Sequence, residues 1–126
     1  MEIHESAENY LETILILKGR TGAVRSIDIV NELEFAKPSV SVAMKKLRES
    51  GHILTDYEGY ITLTEKGREV AERMYERHTF LSDYLVTLGV NEKTAVEDAC
   101  RIEHVISEES FDKLREHVNK ARGKQD

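Results

Sequence analysis

One stretch of this 126-residue chain alternates as a β-strand must: HILTDYEGYITLT, residues 52–64. Alternating side chains fall on opposite faces of an extended backbone, so such a run predicts a half-buried strand. Here two short runs flank Asp56–Gly59, where glycine supplies the turn, and together they predict a hairpin. A lone two-stranded hairpin is barely stable in water, so it must pack on something else. Everything else available is helical. Seven Gly and a single Pro permit long helices almost everywhere, and the fold class expected is mainly α.

Residues 7–19 place Tyr10, Leu11, Ile14, Leu15 and Leu17 on one stripe, with Ser6 as N-cap, and GRTGA (19–23) breaks the helix. Ser26 is placed to cap IDIVNEL (27–33), and Pro38 suits the first turn of a helix running to residue 50, where Gly51 ends it. A long helix over 65–88 carries Val70, Met74, Leu81, Leu85 and Leu88, and Gly89 closes it. Asn91 and Ser107 can cap helices over 92–105 and 108–120, and ARGKQD should fray. Three helices followed by a hairpin form the order of a winged helix-turn-helix, whose second paired helix enters the major groove. That helix offers Ser39, Ser41, Lys45 and Lys46 outward, with Lys37 and Pro38 at its entry. Small polar and basic groups suit phosphates and base edges. Val42 and Ala43 can meet thymine methyls, although Val42 suits a half-buried position equally well. Ser26 completes the candidate DNA contacts.

Charge qualifies this. The net charge is −6, which argues against indiscriminate nucleic-acid binding, yet residues 20–50 carry six Lys/Arg against four Asp/Glu. An acidic protein approaches DNA more readily when something offsets its charge, and a bound cation would do so. There is no apolar run of the ~18–20 residues that a membrane span requires, and MEIHESAENY is unlike a secretory signal. One cysteine excludes an internal disulfide framework and suits a reducing compartment, so a cytoplasmic location is expected.

A cation site is suggested by ACRIEHVIS, residues 99–107, where Cys100, Glu103 and His104 share a helix face. Ala95, Ala99, Ile102 and Ile106 form the apolar stripe of that helix, so the three polar groups should border the core without occupying its centre. His78 falls on the stripe of Met74, Leu81 and Leu85, where a hydrophobe would be cheaper. Alone it suggests a core histidine. Asn9 and Glu12 lie one turn apart on the first helix, and alone they suggest a solvated face. Together the six place oxygen, nitrogen and sulfur donors on three helices. No nucleophile with an oriented base and no phosphate loop accompanies them, so an enzyme is not expected.

AENYLETI (7–14), KPSVSVAMKKLRESG (37–51), YITLTEKGREVA (60–71), ERHTFLSDYL (76–85) and DACRIEHVIS (98–107) resemble the diphtheria-toxin-repressor/manganese-transport-regulator family of metal-dependent repressors. The likeness covers roughly residues 6–118. It implies that Glu12, His78, Glu103 and His104 fall on the family's metal-ligand positions. Cys100 matches the iron branch, where the manganese branch has Glu. Asn9 stands where those branches have Met and Asp, and its neutral amide oxygen can still ligate. Ser82 and Val96 replace the carboxylate and histidine of the iron branch's ancillary site, which implies that this site is absent in its usual form. The chain ends where longer members continue into an SH3-like domain, which implies the short, two-domain form. A thiolate favours Fe(II), Zn(II) or Co(II), and the carboxylates keep Mn(II) in play. Fe(II) is expected first and Mn(II) second, with Zn(II) and Co(II) as in-vitro substitutes.

The chain is therefore expected to be a homodimeric repressor of metal-uptake genes that binds double-stranded palindromic operator DNA. A winged helix-turn-helix domain (1–71) would bind DNA, and an all-helical domain (72–126) would dimerise and complete the metal site. Metal held between the domains would fix the spacing of two recognition helices, about 34–36 Å for successive major grooves. Two alternatives stay open: a winged-helix regulator sensing an organic ligand or oxidant through Cys100, and a metal-buffering helical module that does not touch DNA.

Overall fold

A computed structural model describes residues 5–123. The elements are α1 (Glu5–Thr21), α2 (Ser26–Leu33), α3 (Lys37–Glu49), β1 (Ile53–Thr55), β2 (Ile61–Leu63), α4 (Glu65–Thr87), α5 (Glu92–Val105) and α6 (Glu108–Gly123). The described residues are mainly helical with one antiparallel hairpin, as the alternation predicts. It divides into two compact units, Met1–Tyr75 and Glu76–Asp126, and the division falls inside α4.

In the N-terminal unit, α1 buries Tyr10, Leu11, Ile14 and Leu17, α2 buries Ile29, and α3 buries Val40, Met44 and Leu47. Spacings of three and four residues make each set one helix face. The hairpin pairs Ile53 with Leu63, Leu54 with Thr62, and Thr55 with Ile61. Alternation then turns Ile53 and Ile61 into the core and leaves Leu54 63% exposed. Main-chain NH of Ile61 also donates to the carbonyl of Val24 at 2.8 Å, tying the hairpin to the approach to α2.

Local capping departs from the expectations in three places. Ser6 lies within α1 and is not its N-cap. Gly19 is helical, and α1 ends only at Gly22, which takes φ +83° and donates its NH to the Lys18 carbonyl at 2.9 Å. Such a left-handed residue is what stops a helix; a glycine in right-handed conformation does not. Ser26 is the first residue of α2, and Arg25 is the N-cap. Asp28 decides this, because its carboxylate reaches back to accept the Arg25 NH at 2.9 Å, as the acid of a capping box does. The turn from α2 to α3 passes through Glu34 at φ +57°, and the next residue, Phe35, meets Tyr10 edge-on at 5.9 Å.

The hairpin joins α4 through His52, which is 1% exposed. Its Nδ1 lies 2.7 Å from the Ser50 hydroxyl. Burial, helped by the Lys66 ammonium, holds the imidazole below its ordinary value. An unfolded histidine takes up a proton near pH ~6.5, whereas His52 in the folded chain takes it up only at lower pH. Its contribution to stability is therefore full above about pH 6.5 and is lost as pH falls from there through the folded value. Denaturation of wild type and His52→Gln at several pH values should show a shallower loss for the variant below pH ~6.5. Equal slopes would mean that His52 is not the group responsible.

In the C-terminal unit, Leu81, Ala99 and Phe111 form the buried centre, flanked by Phe80, Ile102, Ile106 and Leu114. Asn91 Oδ1 accepts the Lys93 NH at 3.0 Å to start α5, and Ser107 Oγ accepts the Ser110 NH at 3.0 Å to start α6. The buried stripe of α4 differs from the one expected. It runs Val70, Met74, Arg77, Leu81, while Leu88 is 63% exposed. The spacing of four, three and four residues keeps the period, and Leu88 lies past the helix end, where Gly89 turns the chain at φ +104°. Of the segment expected to fray, Ala121–Gly123 belongs to α6; residues 124–126 lie outside the described residues.

Candidate metal centre and nucleic-acid interface

The core-facing line of α5 is Ala95, Ala99 and Glu103, at four-residue intervals. Glu103 is 0% exposed, fully buried where the apolar stripe of this helix predicts a place at the border of the core. The two alanines keep this face thin, and the carboxylate is met by imidazoles. His78 Nδ1 lies 2.9 Å from Oε2 of Glu103, and His104 Nε2 lies 3.3 Å from Oε1. A carboxylate removed from water is costly unless it is paired and hydrogen-bonded. Donating a hydrogen bond to the Glu103 carboxylate raises the His78 imidazole above its ordinary value; burial opposes this, and the Glu103 charge adds to it. A positive charge is thus drawn to this spot.

Cys100, one turn before Glu103, is half-buried. Cys100, Glu103 and His104 each offer a ligand atom within 4.8 Å of one another. Nitrogen, oxygen and sulfur donors around a buried anion fit a divalent transition metal. The residues present therefore suit the ion that the resemblance implies. Together with His78, these three residues belong to the C-terminal unit. Asn9 and Glu12 belong to the N-terminal unit, one turn apart on α1. Glu12 is 4% exposed, unlike a residue of a solvated face, and Asn9 is half-buried. Ser82 turns its hydroxyl onto the His78 carbonyl at 2.8 Å, and Val96 is 43% exposed.

Helix α3 presents the basic face. Lys37, Pro38, Ser39, Ser41, Lys45 and Lys46 are exposed, and Val42 is 54% exposed, so it does not take the half-buried position. The first turn carries no acid, which suits the preference of a helix N-terminus for phosphate. Ser26, by contrast, is half-buried. The hairpin adds groups absent from the expected set. Tyr57 is 97% exposed at its tip, and the Arg25 guanidinium lies 4.2 Å from the Tyr60 ring centre. The larger omission is Arg77, whose signal was a charged residue at an apolar-stripe position between Met74 and Leu81.

Comparison with known proteins gives this arrangement a family. The N-terminal DNA-binding domain of iron-dependent repressors matches residues 2–63, and their metal-binding and dimerisation domain matches residues 64–124. An HTH-type transcriptional regulator of Methanocaldococcus jannaschii is 36% identical over 124 residues, 95% of this chain and 98% of its own. The HTH-type transcriptional regulator MntR of Lysinibacillus sphaericus is 34% identical over 115 residues, 90% of this chain and 81% of its own. The manganese regulator SloR has a TM-score of 0.80 at 27% identity, covering 94% of this chain and 55% of its own. For IdeR of T. acidophilum the TM-score is 0.77 at 25% identity, again covering 94% and 55%. The chain thus spans about half the length of those two solved structures. With both domains matched in order over nearly its whole length, the chain belongs to the iron-dependent repressor family of metal-dependent, DNA-binding transcriptional regulators.

Proposed function

We propose that the protein is a homodimeric, metal-activated repressor of metal-uptake genes that binds a palindromic operator. The observation that carries this is Glu103: a fully buried carboxylate between His78 and His104, in a chain whose other unit exposes a basic recognition helix. His78, Cys100, Glu103 and His104 hold the ion, with Glu12 and Asn9 as the donors of the N-terminal unit. The bound ion would supply positive charge beside the buried Glu103 carboxylate. The Cys100 thiolate favours Fe(II), and the carboxylates leave Mn(II) second. Donors drawn from both units make metal occupancy favour one arrangement of the recognition helices. Reciprocity follows, since metal that raises DNA affinity must itself bind more tightly in the presence of DNA. One cysteine fits a reducing cytoplasm, and no helix among the described residues is long and apolar enough to cross a membrane.

On α3, Lys45 and Lys46 contact phosphates, Lys37 and Pro38 set the helix entry, and Ser39, Ser41 and Val42 face the bases. Ser26 approaches the backbone from the start of α2. The test is a metal-by-metal titration on a duplex that the protein selects from a random pool. Fe(II) and Mn(II) should raise affinity over chelator. Lys45→Ala and Lys46→Ala should each weaken binding and reduce the salt slope by about 1. Equal affinity in chelator and in metal would refute metal activation.

A further inference from the structure

The resemblance assigns no role to Arg77. It is 7% exposed at a stripe position of α4, a costly place for a guanidinium unless its charge and donors are used. Its Nη1 donates to the main-chain carbonyl of Glu103 at 3.1 Å and to that of Ile106 at 2.9 Å. Both carbonyls lie at the C-terminal end of α5, where helical carbonyls lose their i+4 donors and carry the negative end of the helix dipole. The guanidinium carbon also stands 5.3 Å from the centre of the Phe111 ring, within cation–π range. The next residue, His78, bonds the carboxylate of the same Glu103. Consecutive residues of α4, projecting about 100° apart, thus grip one residue of α5 by its main chain and by its side chain.

From this we infer that Arg77 is the positioning residue of the metal site. It acts through the backbone of α5, holding closed the last turn, which carries Glu103 and His104. Without it that turn loses the donor to two carbonyls, one buried and one part-buried, and is free to unwind, and the carboxylate and imidazole no longer stay beside Cys100. The Arg77 charge by itself would act in the opposite direction, because a buried cation repels an incoming dication. Positioning and charge therefore predict opposite signs.

The inference rests on the proposed metal site, and Co(II) separates the two. It reports affinity by calorimetry and Cys100 ligation by a thiolate charge-transfer band. Arg77→Met, which keeps the length and apolar stem, should bind Co(II) at least tenfold more weakly, with a diminished band. Arg77→Lys, retaining one of the two carbonyl contacts, should fall between. Leu81→Ala is the control for plain destabilisation, and it should lower the melting temperature of the apo-protein while leaving Co(II) affinity within about threefold. If Arg77→Met does not fold, Arg77→Lys carries the test against the same control. No Co(II) binding by wild type would refute the metal site itself. With wild type binding normally, unchanged or tighter binding by the Arg77 variants, or an equal loss in Leu81→Ala, would overturn the positioning role.

Discussion

Glu103→Gln should leave a folded protein that gains almost no operator affinity from metal. Glutamine keeps the length of the side chain and an oxygen that can accept from His78, but it removes the anionic donor of the proposed metal site. Even outer residues of metal sites are worth 10–100-fold in affinity, so losing this donor should cost at least ~100-fold. The apo-protein should not suffer equally. Glu103 is 0% exposed, and replacing a buried charge by a neutral group of similar size relieves desolvation. Two measurements should therefore part company. At a metal concentration of 100 times the wild-type Kd, wild type is stabilised by ~2.7 kcal/mol and the variant by only ~0.4 kcal/mol. In chelator the variant should melt no lower than wild type. A wild-type metal-induced rise in melting temperature, with wild-type operator binding, would remove Glu103 from the site.

Gly67→Ala should cripple the N-terminal unit. Helix propensity alone predicts the reverse, since alanine within a helix is worth up to ~1 kcal/mol over glycine. Gly67, however, sits in the first turn of α4, where its NH donates to the Thr64 hydroxyl at 3.1 Å. Thr64 in turn donates its hydroxyl proton to the Gly51 carbonyl at 2.7 Å and its NH to the His52 carbonyl at 3.1 Å. This knot pulls the two backbones together. A Cβ at residue 67 would overlap the carbonyl oxygen of His52 and lie 2.9 Å from its carbonyl carbon. Backbone cannot step aside as a side-chain end can, so the cost should reach the top of the overpacking range, ~3 kcal/mol. Thermal unfolding should show a fall on the order of 10 °C. An unchanged or higher melting temperature would show that the hairpin can move away from α4 at little cost.

Where the deciding physics is local, the sequence was legible. The hairpin follows from alternation and Asp56–Gly59, whose Asp56 Oδ1 accepts the NH groups of Glu58 and Tyr60 at 2.9 Å. Pro38, Gly51, Gly89, Asn91 and Ser107 all mark helix ends, because a fixed φ, a left-handed residue or a side-chain acceptor acts within a few residues. Even so, the identity of a residue did not settle its conformation. Gly19 and Gly22 are the same residue type, and only Gly22 turned left-handed; Ser26 lost the cap of α2 because Asp28 reached Arg25 first.

By itself, then, the sequence determined a mainly helical chain with one wing, a basic recognition helix and six metal-capable side chains on three helices. Only the tertiary structure decided how deep those groups lie and what holds them. Periodicity states which residues share a face, but it does not state which part of that face is covered. Glu103 was expected at the border of the α5 stripe and is completely enclosed, while Ile102 and Ile106 on the expected stripe are only half-buried. Arg77 replaced the hydrophobe that the period calls for, because the carbonyls it satisfies belong to residues 26 and 29 positions away. Gly67 became irreplaceable through the backbone of His52. Each of these depends on a partner distant in sequence, and burial and desolvation exist only once that partner has arrived.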